Sequence, residues 1–575
     1  SKVNRILSNM KLNYQIADWL TVQYQLGIDN YHDERYRFVP PDIDPGSATG
    51  GFIVNEGLNY NEITSNIFVT FDKQITEDLS ATLLLGNQIS DIESKRLTNR
   101  AEGLNPDNLN AYDEATNYFN DVGGSERKIV GVFGDLRLDY KSTLYLNATG
   151  RNDWSSTLPK ENRSFFYPSV SLSYVLSQTL QDTGTLPDFL SYAKLRASYA
   201  EVGKDAPPYV GVYYDRPSNF PFGDVDGYSR DSQGGSAVLK PERTTSYEFG
   251  GEFRFFKNRF GFDVTYYKQN SKDQILPVPV AQSSGFDTFV LNAGEIENKG
   301  IEALVNITPI KTNDFQWDIT LNWSKIEAEV LSLPTGIDEI IFADSGFAGI
   351  VSKLQVGGAP GDLFGYTWAY DDAGNRIIGD DGFPHVVAGS PSDLVKVGNA
   401  MPDWLGSIGS TISYKDLSLS FLFERKEGGE IYDSGQRNSI RNGVVAITEQ
   451  REDGVILDGV LADGTPNNIP VNIDENYYRS SDIYNRAAEI LVEDASWWRL
   501  RNVTLSYNLP NRILDQIPFD RVTFSFTGTN LWIDTPFRGY DPEGSQFSAG
   551  TNAYGFTGLN IPNTRSYLFG VNLNF

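Results

Sequence analysis

Runs with an apolar residue at every second position repeat from one end of the chain to the other, and no apolar run nears the ~18 needed for a membrane-spanning helix. Met10, Leu12, Tyr14 and Ile16 alternate with Lys11, Asn13 and Gln15; Leu20, Val22, Tyr24, Leu26 and Ile28 alternate with Thr21, Gln23 and Gln25. Joined by Ala17-Asp18-Trp19, the two runs predict a hairpin. A second hairpin runs through Ile67, Val69 and Phe71, turns at Thr76-Glu77-Asp78 and returns through Leu83, Leu85 and Ile89. Others turn tightly at Lys141-Ser142, Lys257-Asn258 and Lys415-Asp416. The pattern predicts an all-β chain of about 17 strands.

An alternating apolar face suits either lipid or a water-excluding core, so periodicity leaves both open. Loop lengths separate them. Odd-numbered strands end in short turns, whereas even-numbered strands end in long segments such as 29–62, 90–126, 203–243, 326–405 and 425–494. Short turns at one end and long loops at the other are the signature of a transmembrane antiparallel β-barrel, with the short end periplasmic and the long loops extracellular. Aromatic residues at strand ends, such as Trp317 and Trp323, Trp497 and Trp498, or Tyr266 and Tyr267, fit the girdles of such a barrel, although cross-strand packing in any sheet also uses them.

Composition agrees and removes other classes. With no Cys, the chain has no disulfide, no thiolate zinc site and no thiol nucleophile. A net charge of −27 argues against nucleic acid, whose phosphates require clustered Lys and Arg. Solvated acidic loops are the plain reading of that charge. Only a closed barrel lets strands cross lipid, because an open edge leaves backbone groups unpaired at several kcal/mol each. The last run, Tyr567, Phe569, Val571, Leu573 and Phe575, is a strand running towards the short-turn end. Counting back about 17 strands makes the first one, at 6–16, run the same way, which predicts an odd number of further strands upstream.

Several segments resemble the SusC/RagA family of TonB-dependent outer-membrane transporters. YLNATGRNDWSS from Tyr145 to Ser156, followed by FFYPSVSLSYVLS at 165–177, resembles the family's mid-barrel signature. LKPERTTSYEFG at 239–250 and NAGEIENKGIE at 292–302 resemble motifs of TonB-dependent barrels generally, and ASWWRLRNVTLSYNLP at 495–510, GTNLW at 528–532 and GYDPE at 539–543 resemble the SusC-type C-terminal region. FGVNLNF at 569–575 resembles the terminal strand, whose final Phe, here Phe575, the family implies as the barrel-assembly signal. The resemblance implies a barrel of about 22 strands, of which residues 1–575 would be the C-terminal part, with the N-terminal plug domain, TonB box and first strands lying outside this chain. It also implies TonB-dependent uptake of oligosaccharides or peptides in a Gram-negative outer membrane of Bacteroidota type. Its implied partners are a SusD-like surface lipoprotein, the TonB complex and outer-membrane lipid.

The motifs have structural readings too. Gly294 and Gly300 suit a loop return with unusual φ or close backbone approach, and Pro241 suits a strand entrance because it cannot donate to a ladder. Catalytic chemistry is not legible. The two His, His32 and His385, lie far apart in long loops, and no phosphate-binding glycine loop or nucleophile elbow is present. Asp371-Asp372-Ala373-Gly374-Asn375 with Asp380-Asp381-Gly382 lacks the alternating ligands and closing Glu of a calcium loop, and reads as a solvated turn. No catalytic residue, metal or cofactor is expected.

For ligand contact, the loop aromatics Trp154, Tyr213, Tyr214, Phe220, Trp368, Tyr370 and Tyr432 are the candidates, since rings stack on sugars and apolar side chains; loop packing or girdle positions are the competing readings. A surface adhesin or secretion-associated barrel is the alternative class, and a soluble all-β carbohydrate-binding protein or hydrolase the third.

Overall fold

The computed structural model describes residues 1–41, 50–105, 112–217, 227–344, 349–387, 394–480, 482–547, 553–558 and 560–575. Among these residues, 17 strands join one large sheet. The wall strands are β1 (Lys2–Ala17), β2 (Leu20–Val39), β3 (Phe52–Thr76), β4 (Leu79–Glu102), β5 (Asn117–Tyr140), β6 (Leu144–Ser155), β7 (Ser164–Val175), β8 (Leu190–Lys204), β9 (Glu242–Phe255), β10 (Phe260–Lys272), β11 (Glu295–Lys311), β12 (Phe315–Ser332), β13 (Trp404–Tyr414), β14 (Leu417–Glu427), β15 (Trp497–Asn508), β16 (Arg521–Asp534) and β17 (Ser566–Asn574). The chain divides into two compact units, one of Ser1–Val175, Arg196–Tyr247 and Asn270–Gly294, the other of Leu176–Leu195, Glu248–Gln269 and Glu295–Phe575.

In the first unit, β1 to β7 form an unbroken antiparallel meander. Turn chemistry sets its register. Lys141 and Ser142 both take positive φ, 54° and 51°, and the Thr143 amide donates to the Tyr140 carbonyl, which is the mirror-image turn whose twist matches a hairpin. Apolar residues then line up rung by rung: Leu138 opposite Leu146, Leu146 opposite Leu172, and Leu136 opposite Leu83.

The second unit carries an equivalent meander from β11 to β17. One face of it holds Trp317, Ile412, Leu419, Leu505, Phe526 and Phe569 in neighbouring register, with Phe569 71% exposed. This apolar face is bounded by Phe315, Tyr414 and Tyr507 at the short-turn end and by Trp323, Phe423 and Trp532 at the other. From Phe315 to Trp323, about eight residues at ~3.3 Å each and a tilt near 40° climb roughly 20 Å, comparable to the lipid-facing band of a barrel. Neighbouring aromatics split between faces, so only one of each adjacent pair is in the girdle. Trp498 and Tyr266 are exposed, while Trp497 is buried and Tyr267 half-buried.

Two expectations need correcting. The ranges 29–62 and 90–126 are largely ladder rather than loop: β3 runs for 25 residues and β4 and β5 for 24 each. Even when tilted, 25 residues climb roughly 60 Å, far beyond an apolar band of ~25 Å. Once a strand leaves lipid, both faces meet water and the apolar alternation stops, but backbone pairing continues. Cross-strand ion pairs such as Arg35–Glu56 (3.1 Å), Lys128–Asp91 (3.0 Å) and Arg96–Asp121 (3.3 Å) replace the apolar rungs. The short turns also have two longer members, 176–189 and 509–520, each holding a short helix, Leu176–Asp182 and Asn511–Leu514.

The longest loops build structure of their own. In the second unit, described residues within 333–403, 428–496 and 535–565 build one hydrophobic core containing Ile350, Leu363, Trp368, Tyr432, Tyr477, Tyr484, Leu491 and Phe556. It includes a four-stranded sheet of Glu339–Asp344, Val351–Gln355, Asp362–Gly365 and Val395–Asn399. The first unit has a smaller core of Leu158, Phe165, Ala206, Leu239 and Val290.

Candidate functional site

The motif segments meet where loops join the wall, and their polar residues lock the two together. Asp205, just past β8, is buried and accepts from Arg127 Nε (3.0 Å) and Nη2 (2.6 Å), Ser155 Oγ (2.5 Å) and Thr157 Oγ1 (3.0 Å). Burial alone would push its carboxyl up; these donors outweigh it and hold the carboxyl below its usual range. Ser155 belongs to the 145–156 segment, whose Arg151 donates to Asp153 (2.8 Å) and to Gln88 (2.8 Å), while Tyr167 donates to Asp153. Asn292 staples the next two segments: its Oδ1 accepts from the Lys240 amide and its Nδ2 donates to the Lys240 and Asp273 carbonyls.

The C-terminal segments pair in the same manner. Arg499 and Arg501 of 495–510 engage Asp541 (2.8 Å) and Glu543 (2.8 Å) of 539–543, and both guanidiniums lie over the buried Trp497 ring. Gly294 has φ 93°, and at Gly300 a Cβ would lie 2.6 Å from the Lys325 carbonyl and the Tyr267 ring, so both glycines are required by backbone geometry. Pro241 stands immediately before β9, at the strand entrance.

Above the apolar band of the first unit lies a polar cleft of about 1090 Å³. Its walls are the upper β4–β5 ladder, with Arg96 and Asp121, and the loop after β8, with Tyr209, Tyr214, Ser229, Asp231 and Gln233. Arg96 and Asp121 sit on the face opposite Leu97 and Val122, which pair with each other on the neighbouring rung. Tyr209 takes φ 65°, uncommon for a residue with a Cβ, and its hydroxyl accepts from the Glu126 amide at 3.2 Å. Its half-exposed ring thus stands fixed at the rim.

The sequence candidates fall in different places. Tyr214 lines this cleft, and nearby Tyr213 packs edge-on against Phe286 (5.2 Å) under the Arg230 guanidinium. Trp154 shares the face of Leu144, Leu146 and Ala148, as a girdle position does. Trp368 and Tyr432 are packed inside the loop core, where the Trp368 indole donates to the Ile483 carbonyl. Burial leaves neither ring a face for ligand. Tyr370 lies at the surface of that module, its hydroxyl pKa raised by burial and by Glu489. Phe220 lies outside the described residues. Phe575 is exposed, with its ring 4.9 Å from that of Phe519. Asp371 spends its carboxylate on the Ala373 and Asn375 amides, an Asx turn. The periodicity gave no sign of Tyr209 or of the Arg96–Asp121 pair, because both lie where alternation has ended.

Comparison with known proteins gives a consistent result. Residues 3–531 match the family model described as TonB dependent receptor-like, beta-barrel. The TonB-dependent receptor P26 of Formosa agariphila is 28% identical across all of this chain, which spans 59% of that protein. The TonB-dependent receptor SusC of Bacteroides thetaiotaomicron is 24% identical over 78% of this chain and 44% of its own length. Among solved structures, one titled as the RagAB peptide transporter superposes with a TM-score of 0.78 at 20% identity, covering 100% of this chain and 62% of that one, which shows a shared fold.

Proposed function

The chain belongs to the TonB-dependent receptor-like β-barrel family, which places it in the outer membrane among receptors and transporters rather than enzymes, and on that premise we propose that the full protein imports oligosaccharides or peptides. The chain spans about three-fifths of the curated relatives it matches. We further propose that a plug domain, a TonB box and the remaining strands belong to the rest of the protein. TonB would supply energy through that part, and a SusD-like lipoprotein would deliver substrate to the long loops. Transport is then conformational and non-covalent. Phe575 is proposed as the residue read during barrel assembly.

The observation that carries this reading is the polar cleft above the apolar band, edged by Tyr209 and Tyr214 and walled by Arg96 and Asp121. It pairs flat apolar rings with nearby hydroxyl, amide and carboxylate groups, as a sugar or peptide ligand requires. The test is growth of a deletion strand on defined oligosaccharides and peptides as sole nutrient, with affinity purification of the full protein from its own membrane. Loss of growth on one substrate class and recovery of a SusD-like lipoprotein are expected. Unchanged growth on all of them, with no lipoprotein recovered, contradicts the reading.

A further inference from the structure

Carboxylates outnumber cations in this chain, 75 Asp and Glu against 48 Lys and Arg, and arginines of the wall and its clamps are mostly ion-paired, as in Arg127–Asp205 and Arg499–Asp541. The loop module of the second unit also pairs Arg479 with Glu475 and Arg538 with Glu493, but three of its arginines depart from this pattern. Its Ser434–Arg441 helix presents Arg437 and Arg441 one turn apart on the same side. Arg437 Nε donates to the Asn485 carbonyl at 3.0 Å, which sets it beside Arg486. Among the described residues none of the three forms a salt bridge.

The nearby carboxylate does not serve them. Asp433 caps the helix, accepting from the Gly435 and Gln436 amides at 2.9 and 3.0 Å, and burial pushes its pKa up. Arg441 gains from the negative end of the helix, and Arg486 lies over the Tyr366 ring at 5.7 Å. Neither contact supplies an opposite charge. The Arg486 Nε is buried without a partner, and so is the hydroxyl of Tyr432, which is 0% exposed and stands just before the helix. Burial lowers the Arg437 pKa; Tyr432 opposes that shift, and Arg441 and Arg486 add to it. Like charges are gathered here at a cost that no salt bridge among the described residues offsets.

We infer that Arg437, Arg441 and Arg486 form a binding site for an oxyanion group, a carboxylate or a sulfate ester, carried on the imported ligand. The inference rests on the import reading and narrows its substrate class to one bearing negative charge. Guanidinium groups suit such groups through paired N–H donors, and a partly desolvated setting strengthens the attraction.

The test uses the full-length protein purified from its own outer membrane with whatever partner accompanies it. Thermal unfolding is followed with sodium sulfate, sodium glucuronate, a glutamyl tripeptide or neutral glucose, each compared with sodium chloride at matched ionic strength. At least one oxyanion should raise Tm by several degrees where glucose does not, and the Arg437→Gln, Arg486→Gln variant should erase that rise. The milder Arg441→Gln variant, at an exposed position, should shrink it and guards against misfolding of the double variant. A response to sulfate alone assigns a sulfate ester; a response to glucuronate or the peptide assigns a carboxylate. No rise with any of the three, or a rise unchanged in the variants, overturns the site. Growth on neutral substrates with co-purified lipoprotein would then leave the import reading standing.

Discussion

Leu419 and Leu363 are the same residue in opposite surroundings. Leu419 lies on β14 in a row of apolar side chains left exposed by the protein, whereas Leu363 is fully enclosed among Ile350, Trp368 and Phe556. The difference separates two kinds of hydrophobic assembly within the second unit. The wall presents its apolar groups to a solvent that is itself apolar, and its specificity comes from register. The loop module excludes water internally and would keep its core without lipid. Substitutions therefore should sort by region, with little crossover.

The largest effect is expected in the loop core. Phe556→Ala removes a ring packed against Tyr432 and Phe547 and should cost the module about 3–5 kcal/mol. Hydrogen exchange across 333–403 and 428–496 should rise while β11–β17 stay protected; loss of protection in both would dissolve the distinction. Next in size is the wall. Leu419→Arg should cost roughly 2–4 kcal/mol in bilayers if that residue faces mid-membrane lipid, measured by urea titration of the folded barrel in vesicles. A neutral outcome would place Leu419 in water.

The junction between wall and loop gives a smaller, pH-dependent effect. Asp205→Asn removes the charge from a carboxylate with three partner side chains and should cost about 1–3 kcal/mol at neutral pH. Because the folded carboxyl lies below its usual range, wild-type stabilisation is complete above about pH 4–5 and is lost as pH falls through the folded pKa. Exchange of the 227–241 segment should therefore converge for the two proteins in acid. A difference that widens as the pH falls below about 4 would contradict the assignment. The smallest effect belongs to the cleft, where Tyr214→Ala should weaken ligand binding by about 0.5–1.5 kcal/mol, read by calorimetry, without changing stability.

The wall was legible because lipid forces the same rule on every strand. Hairpins at Lys141-Ser142 and Lys415-Asp416 are where the alternation breaks, and register then follows residue by residue. That rule stops with the apolar band, so the polar upper halves of β3, β4 and β5 read as loops although their backbones still pair. The loop core was hidden for a different reason. Leu363, Tyr432 and Phe556 come from three segments, and no local period announces that they will meet. Trp368 and Tyr432 looked like ligand-facing rings because burial within a long loop leaves no mark on neighbouring sequence. The family motifs were visible as strings, but the role of Asp205 or Asn292 as a fastener depends on partners tens of residues away.

The claim that the exposed apolar row faces lipid can be tested directly because the chain contains no cysteine. Single cysteines placed in turn from Leu417 to Phe423 on β14, spin-labelled in native outer-membrane vesicles, report oxygen and water-soluble relaxation agents position by position. Labels at 417, 419, 421 and 423 should be accessible to oxygen, and those at 418, 420 and 422 to the aqueous agent. Uniform accessibility along the strand, or the reverse phase, would contradict the account.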